Sequence, residues 1–206
     1  MPVEKPAEVE SPTSIIFIDG TNLDRTCLEK FGRNDIDFEK LLAALSVGTK
    51  LLRTYYVTAP YKREIDEMRY RLQTGMLNHL RRIQNVTVDL QQHRYRDSTC
   101  RKCGAVTRSP REKGTDVSVA SFLVEAAVLK EADHLILVAN DADYGPACKI
   151  ANIHGRKCVL AFVLGNDEKE HQIKLSLAPL WNECKRFLKL DLNAMNSCWM
   201  PQKPKK

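Results

Sequence analysis

The chain lacks any run of the roughly 18 to 20 uncharged apolar residues that a membrane-spanning helix requires. Its first dozen residues are acidic and proline-containing, not basic and then apolar as in a signal peptide. An intracellular, cytoplasmic protein without a membrane partner is therefore expected. No G-x-G-x-x-G follows the first apolar run, and Val47-Gly48-Thr49-Lys50 is without the upstream glycine of a phosphate-binding loop, so neither a dinucleotide nor a nucleoside-triphosphate site is supported. With 9 Gly and 9 Pro the composition is neither collagen-like nor low-complexity, and no internal repeat is present. The 7 cysteines are an odd number scattered mostly through apolar segments, which fits reduced thiols better than a disulfide framework.

What is present bounds the answer further. A length of 206 residues, 43% of them apolar and 28% charged, suits one compact domain with a buried core. The net charge of +6 is unevenly spread: Pro60 to Arg111 carries 12 basic against 5 acidic residues, leaving the remainder at −1. Such clustering is the footprint of a polyanion-binding surface, although a solvated helix face has the same look.

Residues 1–13 and 191–206 read as flexible tails around a domain spanning 14–190. Within it, short β-branched runs alternate with longer helical patterns, the signature of a parallel sheet covered by helices. Strands are expected at Ser14–Ile18, Leu51–Thr58, Val86–Leu90, His134–Ala139 and Lys157–Val163. Phe38, Leu41, Leu42 and Leu45 mark one amphipathic helix, and Ile65, Met68, Leu72, Met76 and Leu80 the core stripe of a second, Lys62–Arg82. Thr115–Lys130 is apolar enough for a helix buried between the sheet and its neighbours. Further helices are expected at about Tyr144–His154 and between Glu170 and Leu188, and 91–113 as a polar, basic surface loop or insertion.

In open parallel sheets ligands bind beyond the carboxyl ends of the strands, so the acids at those ends are informative. Asp19 ends the first strand, Asp141 and Asp143 follow the fourth, and Asp116 opens the apolar helix; they are 97 and 25 positions apart, yet this topology brings them to one rim. Gathered carboxylates repel one another unless a cation neutralises them. Oxygen-only ligation points to Mg²⁺ or Mn²⁺, not Zn²⁺, and hydrolysis of a phosphodiester is the chemistry such a site suits. Each acid also has a plainer role, as a turn residue or a helix cap.

Phe17-Ile18-Asp19-Gly20-Thr21-Asn22 resembles the opening motif of the NYN (LabA-like) domain, a branch of the PIN-like ribonuclease superfamily. Glu112-Lys113-Gly114-Thr115-Asp116-Val117 is similar to its Lys-Gly-x-Asp segment, and Val138-Ala139-Asn140-Asp141-Ala142-Asp143-Tyr144 to its paired-Asp signature, in the family's order. The resemblance implies a PIN-like Rossmannoid fold, a three-layer α/β/α sandwich with a central, mainly parallel sheet. It implies a divalent-metal-dependent nuclease acting usually on RNA, with DNA left open. Asp19, Asp116, Asp141 and Asp143 match the family's metal-binding acids and Asn22 its motif Asn; Asp19 and Asp141 are the expected direct ligands, and Asn22 would orient Asp19 or touch the scissile phosphate. The chain departs from the pattern at Phe122, where many relatives carry an acidic or hydroxyl residue that would bear on a second metal, and at Ala139-Asn140, where Ser-Gly is frequent.

Lys113 stands directly before Gly114 and is a candidate phosphate contact. Arg69, Arg81, Arg82, Arg94 and Arg96 lead the pool of expected RNA-backbone contacts, with Arg71, Arg101, Lys102, Arg108 and Arg111 behind them. Tyr61, Tyr70 and Tyr95 are interleaved and able to stack on unpaired bases. Cys100-Arg101-Lys102-Cys103-Gly104 has the turn chemistry of a zinc knuckle but supplies half of a four-ligand site; His93 is near in sequence, and a symmetric homo-oligomer sharing one Zn²⁺ would supply the rest. Unligated or redox-active thiols are the other reading. An endoribonuclease is the leading expectation. A PIN-like module that binds RNA or protein with little or no catalysis is the second, and a phosphoryl-accepting domain with clustered Asp is the third.

Overall fold

The structure is a computed structural model that describes residues 11–201, with side chains described except at 93–97 and 108–112. Six strands form one all-parallel sheet: β1 (Thr13–Asp19), β2 (Lys50–Thr58), β3 (Val86–Leu90), β6 (His134–Val138), β7 (Lys157–Val163) and β8 (Arg186–Leu190), in the order β3-β2-β1-β6-β7-β8. A separate antiparallel hairpin, β4 (Gln92–Thr99) with β5 (Val106–Lys113), stands outside it. The helices are α1 (Gly20–Phe31), α2 (Phe38–Leu45), α3 (Glu67–Leu80), α4 (Thr115–Val128), α5 (Gly145–Ile153), α6 (Glu170–Ser176), α7 (Ala178–Trp181) and α8 (Leu192–Asn196).

Strands buried on both faces need continuous apolar runs, because alternate side chains feed opposite layers. Ile15 and Phe17 of β1 join Leu135, Leu137, Leu160 and Phe162 under α4, α5 and α7. Ile16 and Ile18 join Ile136, Val138, Val159 and Ala161 on the other face, with α1, α2, the last turn of α3, and α8. This is the expected three-layer α/β/α sandwich. The order of strands reverses between β1 and β6, and the crevice beyond their carboxyl ends is where such sheets place ligands.

The first strand ends at Asp19 as the sequence suggests, and Asp19 caps α1 directly, accepting a hydrogen bond from the Asn22 N–H at 2.9 Å. Several expectations are corrected. Segment 91–113, expected as a loop or an insertion, is a regular hairpin from Gln92 that stands outside the main sheet. Helix α3 begins at Glu67, where Asp66 caps it, and its anticipated core stripe is largely bare: Met68 is 71% and Leu72 68% exposed, while Leu77 and Leu80 are the residues that bury. Helix α4 is also one-sided, with Val117 and Val128 exposed. Helices α6 and α7 fall within Glu170–Leu188 as expected, but the end of that stretch, from Arg186, is a final strand, β8, which runs to Leu190.

The domain also runs past both expected boundaries. At its start, β1 begins at Thr13 and the Lys50 N–H donates to the Pro12 carbonyl at 2.8 Å. At its end, α8 follows Asp191, Met195, Cys198 and Trp199 are buried, and Trp199 bridges to Ile36. The tail expected from 191 is therefore core as far as Trp199. Residues 1–10 and 202–206 lie outside the described residues, as do the side chains of His93, Arg94, Tyr95, Arg96, Arg108 and Arg111.

Candidate active site

The site is built on the reversal between β1 and β6. Asp19 is only 6% exposed, and both of its carboxylate oxygens are engaged. Oδ1 accepts from the Asn22 backbone N–H, and Oδ2 accepts from the Tyr144 hydroxyl at 2.7 Å, across 125 positions of sequence. Asn22 in turn uses its side-chain oxygen to accept from the Asn140 N–H at 2.8 Å. Its role is thus to lock the start of α1 to the end of β6. Asn140 continues the chain of contacts: its amide donates to the Val163 carbonyl at 2.8 Å, and its oxygen accepts from the Val163 N–H at 2.7 Å. The departure from Ser-Gly has a structural consequence, a clamp between the ends of β6 and β7.

Asp141 is half-buried and caps the short 3-10 turn Ala142–Tyr144, accepting from the Asp143 N–H at 3.1 Å. Asp143 itself is exposed. Asp116 is exposed in the first turn of α4, which no side chain caps and which follows Gly114 at φ +101°. Gly114 is needed there, because a side chain strongly disfavours that backbone region and a Cβ would sit 3.1 Å from Gln91 Oε1.

Tyr144 shows which acids converge. Its pKa is pushed well up, first by burial, then by the charge and hydrogen bond of Asp19, then by the charges of Asp116 and Asp141. Of the four anticipated acids, Asp19 contacts this hydroxyl, and the charges of Asp116 and Asp141 also act on it. Nothing in the sequence motif assigns Tyr144 a role; its place directly after the paired acids is the available signal. Among the described residues no three His, Cys, Asp or Glu side chains stand close enough together to hold a metal ion. In kind the donors suit a hard divalent cation; in geometry they are an open rim around Tyr144 and not a closed cage.

The basic candidates are divided by the fold. Lys113, exposed at the end of β5, lies beside Gly114 and Asp116. Arg69 is ion-paired to Asp66 at 3.4 Å, lies 5.6 Å over the Tyr61 ring, and lines a groove of about 500 Å³ between α1 and α3 with Asp24, Met68, Leu72 and Met76. Arg81 and Arg82 follow α3 just before β3 begins. Because β3 is parallel to β2, that places them at the opposite edge of the sheet from the acids. Phe122 stacks on Tyr55 at 4.5 Å, and Tyr55 on Phe17 at 5.6 Å, so it is a packing residue of α4. Of the cysteines, Cys100 and Cys103 are exposed and the other five are buried.

An all-parallel sheet with helices on both faces and carboxylates at the β1–β6 reversal defines a PIN-like α/β domain. The NYN domain family model matches residues 13–191, and the chain belongs to that family, a branch of the PIN-like nucleases. No curated protein matches. Among solved structures, VPA0982 from Vibrio parahaemolyticus RIMD 2210633, described as a protein of unknown function, is similar over 94% of this chain and 98% of its own, with a TM-score of 0.60 and 16% identity. That likeness shows the fold. A putative oxidoreductase from Parabacteroides merdae ATCC 43184 is 11% identical over 87% of this chain and 32% of its own, at a TM-score of 0.31, too low to bear on either fold or function.

Proposed function

We propose that the chain is a divalent-metal-dependent endoribonuclease that hydrolyses RNA phosphodiester bonds at the β1–β6 rim. The observation that carries this reading is Asp19, buried at the sheet's reversal point and held by the Tyr144 hydroxyl, with Asp141 at the end of β6 on the same rim, in a chain of a nuclease family. Asp19 and Asp141 would hold Mg²⁺ or Mn²⁺, with Asp116 and Asp143 as further ligands or as partners of bound water; when bound, the ion would activate water and neutralise the phosphate.

The chain's own residues have separable tasks. Tyr144 and the Asn22 N–H hold Asp19 in one orientation, so its geometry is set before substrate arrives. The uncapped start of α4 favours an anion electrostatically, and Lys113 beside it would meet a phosphate oxygen. Arg69 and Tyr61, at the groove between α1 and α3, would take the flanking strand by charge and by stacking. Water attacks phosphorus in line, and the departing alkoxide takes up a proton. The free thiols support a reducing, cytoplasmic setting.

Asp141→Asn is the cleaner test. It keeps an oxygen for the Asp143 N–H and should fold normally, yet abolish Mn²⁺-stimulated cleavage of single-stranded RNA, as should EDTA. Full cleavage by Asp141→Asn would sink the assignment, and a parallel DNA panel fixes the substrate class. A catalytically weak RNA-binding or protein-interaction module is the second reading, favoured by the open spacing of the acids and by Phe122. Titration separates the two: the nuclease takes up Mn²⁺ in an Asp141-dependent manner, and the module does not.

A further inference from the structure

The hairpin ends in a feature that hydrolysis at the rim does not use. Strands β4 and β5 pair with each other over eight positions, from Gln92↔Lys113 to Thr99↔Val106, and with no other described strand. Eight extended residues carry the tip about 26 Å from its base. The turn is tightly built: the Cys100 N–H donates to the Ala105 carbonyl at 2.8 Å, the Gly104 N–H donates to the Cys100 carbonyl at 2.9 Å, and Gly104 has φ +70°. Cys100 and Cys103 stand three positions apart within this one closed turn. Both cysteines face solvent.

A Cys-x-x-Cys turn that closes on itself and ends in a glycine presents two thiols to one ion, which zinc binds through Zn–S bonds of about 2.3 Å. Two ligands do not complete a structural zinc site, which takes four, and no third His, Cys, Asp or Glu joins them among the described residues.

We propose that Cys100 and Cys103 form half of a structural zinc site, completed by the same pair from a second copy of the chain, so that one Zn²⁺ joins two hairpin tips. Four thiols release four protons to solvent as four Zn–S bonds form, and no oxidant or reductant takes part. Charge makes the metal obligatory. Each tip carries Arg101 and Lys102, so two bare tips repel, whereas a tetrathiolate zinc centre is anionic and the four cations offset it. A hairpin edge left unpaired in the monomer is a place where a second chain can approach.

The site is independent of catalysis at the rim and is tested on the full chain. Apo protein in reducing buffer is titrated with Zn²⁺, and bound zinc is measured with molar mass by sedimentation. The expected result is half an equivalent of zinc per chain and a dimer that EDTA returns to monomer. Cys100→Ser and Cys103→Ser should stay monomeric and zinc-free, with unchanged circular dichroism, and Co²⁺ in the wild type should give the intense visible bands of a tetrahedral thiolate site. One zinc per monomer, no zinc uptake under reducing conditions, or a dimer that persists in both serine variants would each overturn the proposal.

Discussion

The β1–β6 rim and the hairpin tip present their reactive groups in opposite ways. At the rim, Asp19 is buried and held from two sides, by the first turn of α1 and by a tyrosine 125 residues away. At the tip, Cys100 and Cys103 are exposed, and their turn is closed by hydrogen bonds within Cys100 to Ala105. The rim is a tertiary product, in which each group stays put because several elements pack together. The tip is local and keeps its geometry as long as one hairpin pairs. Remote packing changes should therefore disturb the first and leave the second alone.

The largest expected effect is at Gly20, which follows Asp19 and lies against the ring of Tyr56. A Cβ there would come within 2.4 Å of that ring, which is itself buried and packed edge-on to Phe38 at 5.3 Å. Gly20→Ala should destabilise by about 3 kcal/mol through overpacking, which for a chain of this size lowers Tm by roughly 6–12 °C. A loss under about 1 °C would mean that Tyr56 yields readily and that the rim does not depend on this close approach.

Asn140→Ala comes next. It removes the two hydrogen bonds to Val163 and leaves partly buried backbone groups unpaired, at a cost of about 2 kcal/mol and roughly 4–8 °C in Tm. The same melts on Cys100→Ser in EDTA should stay within about 1–2 °C of wild type, as for a surface change without buried partners. Equal losses in both variants would erase the distinction between rim and tip.

This division also explains what could be read in advance. The acid positions were legible because a continuous apolar run announces a buried strand, and the residue that ends it announces the rim. Asn22 and Lys113 came with the same motifs. The task of Tyr144 was not legible, since it depends on which element faces Asp19 once the sheet has formed. The hairpin was hidden because its strands, among them Gln92-His93-Arg94-Tyr95, have no apolar alternation to mark two faces. The α3 stripe misled for a related reason: periodicity shows that a helix has an apolar side, not that anything covers it. Met68 and Leu72 are periodic and bare. Strand β8, with Phe187 and Leu188 only half-buried at the sheet's edge, has a weak version of the signal that makes β1 obvious.

The smallest effect probes the far end of the same two strands. Where β1 and β6 begin, the exposed Asp133 accepts from the Thr13 N–H at 2.9 Å and from its hydroxyl at 2.8 Å. Those bonds hold its pKa below the ordinary carboxylate value of 3.8, with help from the charges of Arg156 and His134. A depressed folded-state pKa means that the unfolded chain takes up this proton more readily as pH falls. The stabilisation is therefore complete above about pH 3.8, the unfolded value, and disappears as pH drops through the lower folded one. Asp133→Ala should lower Tm by only about 1–2 °C at pH 7, because the group is exposed and screened. The gap should hold down to about pH 4 and close below it. A gap of the same size at pH 2 would assign the contact to packing and not to charge, making this end of the strand pair, like the rim, a matter of tertiary fit.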